Sequence, residues 1–472
     1  MQDDTFLIEY LGKLPADYWD FRDSDTKEFT HGIHNYPAMM VPPISRNIIA
    51  VMKKIKPINS LFDPFVGSGT VLVEGMLANI PVIAGNDINP LALFLTGAKT
   101  TIIARDRLTK TAEAFRKSLS CIFDRYCLII DAVDFHIESL GLDITAKDGW
   151  GEHAPELLRR YCKENGIDVV LPDFKNIGYW FKPKVIISLA LIKQEILKVT
   201  DHDIRNFFFV AFSEVIRLVS NRRNGEFKMF RMPVEKVHRF DPDVEHEFLR
   251  ILDRNIAKMH EFEEKLADIR ELSAVSIYAD NACDLSDVPD AAYDLVITSP
   301  PYGDSRTTVA YGEFGRLSLQ WIDLFDLSQE DIMRIDRSLM GGEKFKKGFA
   351  SELKSPTLSA SLERIAACDM ERAGDVYSFY RDLASAIKEI GKKTKRGGYQ
   401  FWVVGNRTVK TEVLQTDVII TELADAGGLK WIHTIDRNIP NKVMPSLNSP
   451  SNEAGKKAST MTMEHIVILK KE

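Results

Sequence analysis

Apolar and polar positions along the chain follow two rhythms. Between about residues 58 and 100, short apolar runs alternate with segments of helical spacing. NSLFDPF (59–65) is an apolar run stopped by a turn, and GTVLVEGMLAN (69–79) spaces its apolar residues like a helix. PVIAGND (81–87) is a second buried run and NPLALFLTGAKTT (89–101) a second helix. This strand–helix–strand–helix order predicts the opening unit of a parallel sheet. From 101 to 270 the chain turns long, charged and helical in period, as in Ala112–Ile130 and Val185–Val199, and a mainly helical insertion is expected. The alternation resumes with VSIYAD (275–280) and YDLVITSPPY (293–302). An amphipathic helix (376–393) follows, with Gly397-Gly398 as its stop. Strand YQFWVVGN, helix TDVIITELADAG and strands KWIHTID and HIVILKK complete about seven strands. Ahead of the sheet, the prolines of NYPAMMVPP (35–43) argue for an extended segment. The chain divides into a first part of an α/β core (1–100), the helical insertion (101–270) and a second part of the core (271–472).

Composition narrows the class. Of 472 residues, 45% are hydrophobic and 27% charged, the ordinary globular range. The longest apolar stretches, Val185–Ile192 and Phe207–Phe212, fall far short of the ~20 residues of a membrane span. The start, MQDDTFLIEY, has neither a basic nor an apolar signal region, so a soluble, cytoplasmic protein without membrane contact is expected. Five cysteines without a CxxC pair argue against a disulfide framework or a zinc site, and no metal is expected. Their plain reading is small hydrophobes in a reducing compartment.

A formal charge of −7 is not that of a general nucleic-acid binder. One segment departs from it. Residues 217–239 carry seven Lys/Arg (Arg217, Arg222, Arg223, Lys228, Arg231, Lys236 and Arg239) against two Glu, interleaved with Phe227 and Phe230. This is the first candidate for nucleic-acid contact, through Arg217, Arg222, Arg223, Lys228 and Arg231, which could neutralise phosphates or reach guanine edges. The alternative is a solvated helix and turn. The Lys-rich stretch 328–372, with Lys344, Lys346, Lys347 and a Gly-Gly hinge, is a second candidate. The tail, with Arg437, Asn438, Asn441, Lys442 and Asn448, is a third.

Two constellations carry chemistry. Asp63-Pro64-Phe65-Val66-Gly67-Ser68-Gly69-Thr70 lies where a strand gives way to a helix. Glycines there permit a tight turn and close approach of a ligand, and the helix start offers free N–H groups. Asp87, at the end of the next strand, can accept both hydroxyls of a ribose. The competing reading is a structural turn and an N-cap at Asn89. The spacing continues neither to GxGxxG nor to GK[ST], so hydride and phosphoryl transfer lose ground. The second constellation, Thr298-Ser299-Pro300-Pro301-Tyr302, follows an apolar strand directly. Two prolines fix the backbone and leave carbonyls free, Ser299 adds a hydroxyl and Tyr302 a flat face. A planar ligand bearing an amine suits such a turn, although a proline-stiffened loop with a packing tyrosine would read the same.

Together the two motifs resemble those of the amino-methyltransferases that act on exocyclic amines of DNA bases with S-adenosylmethionine. DPFVGSGT is similar to their cofactor loop. TSPPY is similar to their catalytic motif, in the serine form associated with cytosine N4; adenine-N6 enzymes usually carry Asp at the position of Ser299. His34-Asn35-Tyr36-Pro37-Ala38, YWF (179–181), FFFVAFSEVIRLVSN (207–221), VVGNR (403–407) and the tail 437–464 extend the resemblance to most of the chain, least over 101–170 and 328–372.

The resemblance implies a Rossmann-like seven-stranded α/β methyltransferase core with a helical insertion. It implies S-adenosylmethionine as cofactor, double-stranded DNA as substrate and a cognate restriction endonuclease as partner. Tyr36 and Pro37 would cover the methionine end, with His34 nearby. Asp63, Phe65, Gly67, Gly69 and Thr70 would line the cofactor, Asp87 would hold its ribose and Asp280 would sit near the adenine amine. Ser299, Pro300, Pro301 and Tyr302 would hold a flipped cytosine, Tyr302 by stacking. The same chemistry on adenine N6, on RNA, or a non-catalytic DNA-binding subunit of the same fold are the rival readings. A C5-cytosine enzyme would need a nucleophilic Cys, and none lies in the 298–302 turn. Most of the chain between the motifs falls between the second and third strands, which leaves the place of DNA readout to the three basic segments.

Overall fold

The computed structural model describes residues 2–146, 150–225, 227–304, 307–323, 326–343, 353–439, 447–448, 458–459 and 463–472. Seven strands form one sheet: β1 (Ser60–Asp63), β2 (Val82–Asn86), β3 (Ala274–Tyr278), β4 (Tyr293–Thr298), β5 (Thr394–Val404), β6 (Leu429–Asn438) and β7 (Met463–Lys471). Their spatial order is β3-β2-β1-β4-β5-β7-β6. The first five pair in parallel, and β7 runs antiparallel to β5 and β6. The chain builds outward from β1 through β2 to β3, then returns to lay β4 on the other side of β1. That reversal opens a crevice at the carboxyl ends of β1 and β4, where an open α/β sheet takes its ligand. The seven-stranded α/β fold expected from the sequence is the fold observed.

Alternation of side chains assigns the strand residues to two cores. Leu61, Ile83, Leu295, Ile297, Phe401 and Val403 face one apolar cluster, and Phe62, Ala84, Val296, Trp402 and Val404 face the other. Burial on both faces explains why these strands read as continuous apolar runs. The second face is covered by helices within 356–393 and 416–423. The first is covered by the region between β2 and β3, whose main helices are Arg105–Ser139, Trp150–Glu164, Pro183–Leu197, His202–Leu218 and Val244–Leu266. His202–Leu218 is buried nearly all round, including Phe207, Phe208, Phe209 and Phe212, and Asp201 caps it by accepting from Asp203 N and Ile204 N. Phe115, Phe208 and Ile251 of these helices share one cluster with Leu61 and Ile83 of the sheet, so the region is a layer on the core.

Two local expectations are corrected. Gly397-Gly398 does not stop the preceding helix, which ends at Lys393 and passes straight into β5 at Thr394. The glycines lie inside β5, Gly397 at φ +75°, where four residues of β5 (395–398) stand against the single β4 residue Asp294. They form a bulge, which glycine permits at positive φ. The polar stretch 328–372 contains helices Gln329–Ser338 and Pro356–Cys368. Ser328 and Asp331 form a reciprocal capping box at the start of the first, a signal the reading of that stretch as merely polar passed over.

Four helices position the site and are numbered: α1 (Thr70–Leu77), α2 (Pro90–Thr100), α3 (Tyr311–Ile322) and α4 (Met370–Lys393).

Candidate active site

The turn from β1 into α1 needs its glycines. Gly67 and Gly69 have φ of +51° and +85°, the left-handed region that costs other residues roughly 1–2 kcal/mol. A Cβ on Gly69 would also meet Thr96 of α2 at 3.2 Å. Three strand ends are tied together behind this turn. Asn86 donates from Nδ2 to the carbonyls of Pro64 and Asp280 and accepts the Asp280 N–H at 2.9 Å. Asp87 accepts from Gly67 N at 3.0 Å and Asn89 N at 2.9 Å, and Asn89 in turn caps α2 by accepting from Leu91 N. The structural and ligand-binding readings of Asp87 and Asn89 are therefore compatible, because Asp87 fixes the loop and still faces the cavity.

Two adjoining cavities open at the carboxyl ends of the strands. The first encloses about 890 Å³ including its mouth, and is lined by Tyr36, Pro37, Asp63, Phe65, Gly67, Thr70, Asp87 and Asp280 among others. These are the expected cofactor residues except Gly69, which shapes the turn from behind. The second, of about 620 Å³, is lined by Ser299, Pro300, Pro301 and Tyr302. Ser299, Pro301, Tyr311 and the strap Ala38–Met40 belong to both walls. Ser338, Leu339 and Met340 also line the first cavity. No motif marks those three, which are the last residue of a helix, its C-cap and the residue after it.

Electrostatics differ between the two. Asp63 accepts from Thr298 Oγ1 at 2.8 Å and Phe65 N at 3.1 Å, yet burial pushes its carboxyl up to about 7. Burial likewise pushes Asp87 up to about 6. Two carboxyls poised near neutrality line the cavity, and among its described lining residues none is a cation, which suits a ligand bringing its own positive charge and hydroxyls. In the second cavity the Tyr302 hydroxyl donates to Glu464 Oε1 at 2.9 Å, and Arg437 pairs with the other Glu464 oxygen. Burial, then the Glu464 carboxylate, holds the phenol well above its ordinary range, so Tyr302 is a neutral donor. Beyond the turn, buried Asp304 accepts from Arg372 at 3.1 Å and Arg407 at 3.2 Å. Tyr36 stacks on Tyr311 at 6.0 Å and accepts from Asn89 Nδ2 at 3.0 Å. Among the described residues no His/Cys/Asp/Glu cluster could hold a metal.

Several expected contacts lie elsewhere. Arg217 is buried, donates to the Phe314 carbonyl and sits 3.4 Å above the Phe314 ring. Arg222 is buried against the Arg223 carbonyl. Arg231 donates to the carbonyls of Tyr179 and Thr145 and stacks over Tyr179. Arg217 and Arg222 spend their guanidinium groups on backbone carbonyls inside the protein, and half-buried Arg231 is committed to two more, so none of the three stands as an open donor on the surface. Arg223 is exposed and Lys228 half-buried. In the tail, Arg437 is buried and Asn438 is bound to Asp20, so neither is an open donor. Lys344, Lys346, Lys347, Asn441, Lys442 and the side chain of Asn448 lie outside the described residues. His34 does not line the first cavity; it is buried and paired with Ser213 Oγ at 3.0 Å.

No family model matches the sequence. Among characterised proteins, the type II methyltransferase M.MvaI of Kocuria varians is 39% identical over 477 aligned positions, covering 99% of this chain and 97% of its own. The type II methyltransferase M.MjaII of Methanocaldococcus jannaschii is 23% identical over 310 positions, 60% of this chain and 54% of its own. Among solved structures, the rRNA methyltransferase aviRa from Streptomyces viridochromogenes aligns with 93% of this chain and 88% of its own. Its identity is 11% and its TM-score 0.28, too low to carry an argument.

Proposed function

We propose, for a chain that belongs to the type II methyltransferases and uses S-adenosylmethionine, that it methylates the N4 amine of cytosine flipped out of double-stranded DNA, as the protecting half of a restriction–modification pair. The observation that carries this reading is the wall of Ser299 and Pro301 shared by the two cavities. One cavity carries the carboxylates, the other the tyrosine, and methyl transfer needs donor and acceptor separated by little more than such a wall.

The cofactor fits the first cavity by its donor set. Asp63 would take its ammonium, Asp87 its ribose hydroxyls and Asp280 its adenine amine. Bound there, it supplies a methyl group already activated by the sulfonium. The rest is the work of the chain. Ser299 Oγ and the Pro300 carbonyl would accept the amine hydrogens, favouring a pyramidal nitrogen as its lone pair turns to the methyl. The prolines keep that carbonyl out of any ladder. Tyr302 would stack on the base, a contact worth roughly 1–3 kcal/mol, with Glu464 and Arg437 fixing its ring. Holding the partners in line is the principal catalytic contribution.

The test is methyl transfer to mixed-sequence unmethylated DNA, followed by nucleoside analysis by mass spectrometry and by location of the modified site. N4-methylcytosine is expected. N6-methyladenine would overturn the base assignment that rests on Ser299, and transfer to tRNA alone would overturn the DNA assignment. Ser299→Ala and Tyr302→Ala should lower the rate at least tenfold while cofactor affinity stays unchanged, about 1.4 kcal/mol or more of transition-state stabilisation. Asp87→Ala should weaken the cofactor first.

A further inference from the structure

We infer that the two arms Asn221–Gly225 and Phe227–Met232, paired through Arg222 and Arg231, form a wedge whose exposed rings, Phe227 and Phe230, enter the DNA duplex and fill the space left by the extruded base. The inference rests on the DNA reading above and adds the element that makes extrusion possible.

The three misplaced arginines lead to it. Arg222 and Arg231 face each other in an antiparallel bridge, extended by Arg223 N to Phe230 O at 2.7 Å and Met232 N to Asn221 O at 2.8 Å. The base of this hairpin is fastened to the body. Asn221 N donates to Trp180 O at 2.7 Å, and Arg231 reaches the Tyr179 and Thr145 carbonyls at 2.8 and 2.7 Å. Its far side is fastened to α3: Met229 N donates to Glu313 Oε2 at 3.0 Å, and Phe227 packs on Phe314 at 6.1 Å. Glu313 and Phe314 lie in the first turn of α3, and the first residue of that helix, Tyr311, lines both cavities. The hairpin is thus held within about a helical turn of the site.

What the fastening presents is unusual. Phe227 is 52% exposed and Phe230 48%, two aromatic rings three residues apart on a protein surface. A solvated turn has no use for them. Between them stands Lys228, and Arg223 is exposed alongside. Exposed rings beside cations, on a chain of net charge −7, are complementary to stacked bases flanked by phosphates. Apolar side chains inserted between base steps are an established way to open a duplex, and unstacking and unpairing are the cost of flipping a base.

The experiment uses the full chain and a duplex built on the site located by the methyl-transfer assay, in two forms: fully paired, and with the target base mispaired so that extrusion is cheap. Phe230→Ala and Phe227→Ala/Phe230→Ala should slow methylation of the paired duplex roughly tenfold or more. They should recover most of the wild-type rate on the mispaired one, with cofactor affinity unchanged. Phe230→Leu, which keeps an apolar wedge, should lose much less. Equal loss on both duplexes, or no loss on either, would overturn the wedge while leaving DNA methylation intact. Absence of DNA methylation by the wild-type chain would overturn both readings.

Discussion

At the scale of single residues, the carboxyl of Asp63 has the most to say about conditions. Burial raises it to about 7 from an ordinary 3.8, so near neutrality the free protein holds part of it protonated. An ammonium placed beside it would favour the charged form, and binding would release a proton. The sign follows from linkage: affinity for S-adenosylmethionine should be level above about pH 7. It should fall by up to about tenfold per pH unit as pH drops below that value. Calorimetric titration from pH 8 to 5.5 checks this. Asp63→Asn keeps an acceptor for Thr298 and Phe65, so it should flatten the profile and weaken binding by about 1.5–3 kcal/mol, the worth of a charged hydrogen bond. The sequence made Asp63 and Asp87 legible through their places at strand ends. It could not show that both are buried without a cation, because the emptiness around a carboxyl belongs to the fold. The same blindness misassigned Arg217, Arg222 and Arg231. Seven cations in 23 residues look like a surface, but a guanidinium has five donors, and Arg217, Arg222 and Arg231 use theirs on the backbone carbonyls of Phe314, Arg223, Tyr179 and Thr145.

At the scale of elements, the turn 298–302 is held from behind by the clamp of Asp304 between Arg372 of α4 and Arg407, three residues past the end of β5. Gly303 makes room for it, since a Cβ there would lie 1.5 Å from Arg407 Nη1. Gly303→Ala must therefore displace either the clamp or the turn that carries Pro301 and Tyr302. Its kcat should fall while cofactor affinity, set across the wall, changes little. Arg407→Met would leave Asp304 half-paired in a buried site, which typically costs 3–5 kcal/mol when a buried pair is broken; a lowered denaturation midpoint with unchanged slope would register it. VVGNR was visible in the sequence as a matching segment, but not as one jaw of a clamp, because its partners stand about 35 and 100 residues upstream. Elements were legible where period and burial agree, as in β1, β2 and β4. They were misread where glycines serve a bulge, as at Gly397-Gly398, and passed over where a cap such as Ser328–Asp331 opens a helix in polar surroundings.

At the scale of the whole molecule, the helical region between β2 and β3 shares a core with the sheet, and this decides which cations can meet a polyanion. Once Arg217, Arg222 and Arg231 are counted as internal, the basic segment offers Arg223, Lys228, Lys236 and Arg239 to its surface. Each phosphate neutralised contributes about −0.9 to the slope of log K against log salt, so this face can account for a slope of at most about −3.6. On the DNA reading, this is the face by which a chain of net charge −7 would meet the duplex. Lys228→Ala/Lys236→Ala should then lower the slope of DNA binding by about 1.8 and leave the melting temperature within about a degree, since surface substitutions stay within about 0.5 kcal/mol. Arg231→Ala should do the opposite. It removes the staple at Tyr179 and Thr145, taking the guanidinium donor from the Thr145 carbonyl and leaving Tyr179 O only the longer bond from Asn221 Nδ2, and should depress the melting temperature with little change in salt slope. Filter binding between 50 and 300 mM salt, paired with thermal denaturation of the same variants, separates the two classes. A salt slope that responded to Arg231 would return that residue to the phosphate contacts, and one that responded to neither Arg231 nor the lysines would place the DNA on another face and overturn the wedge.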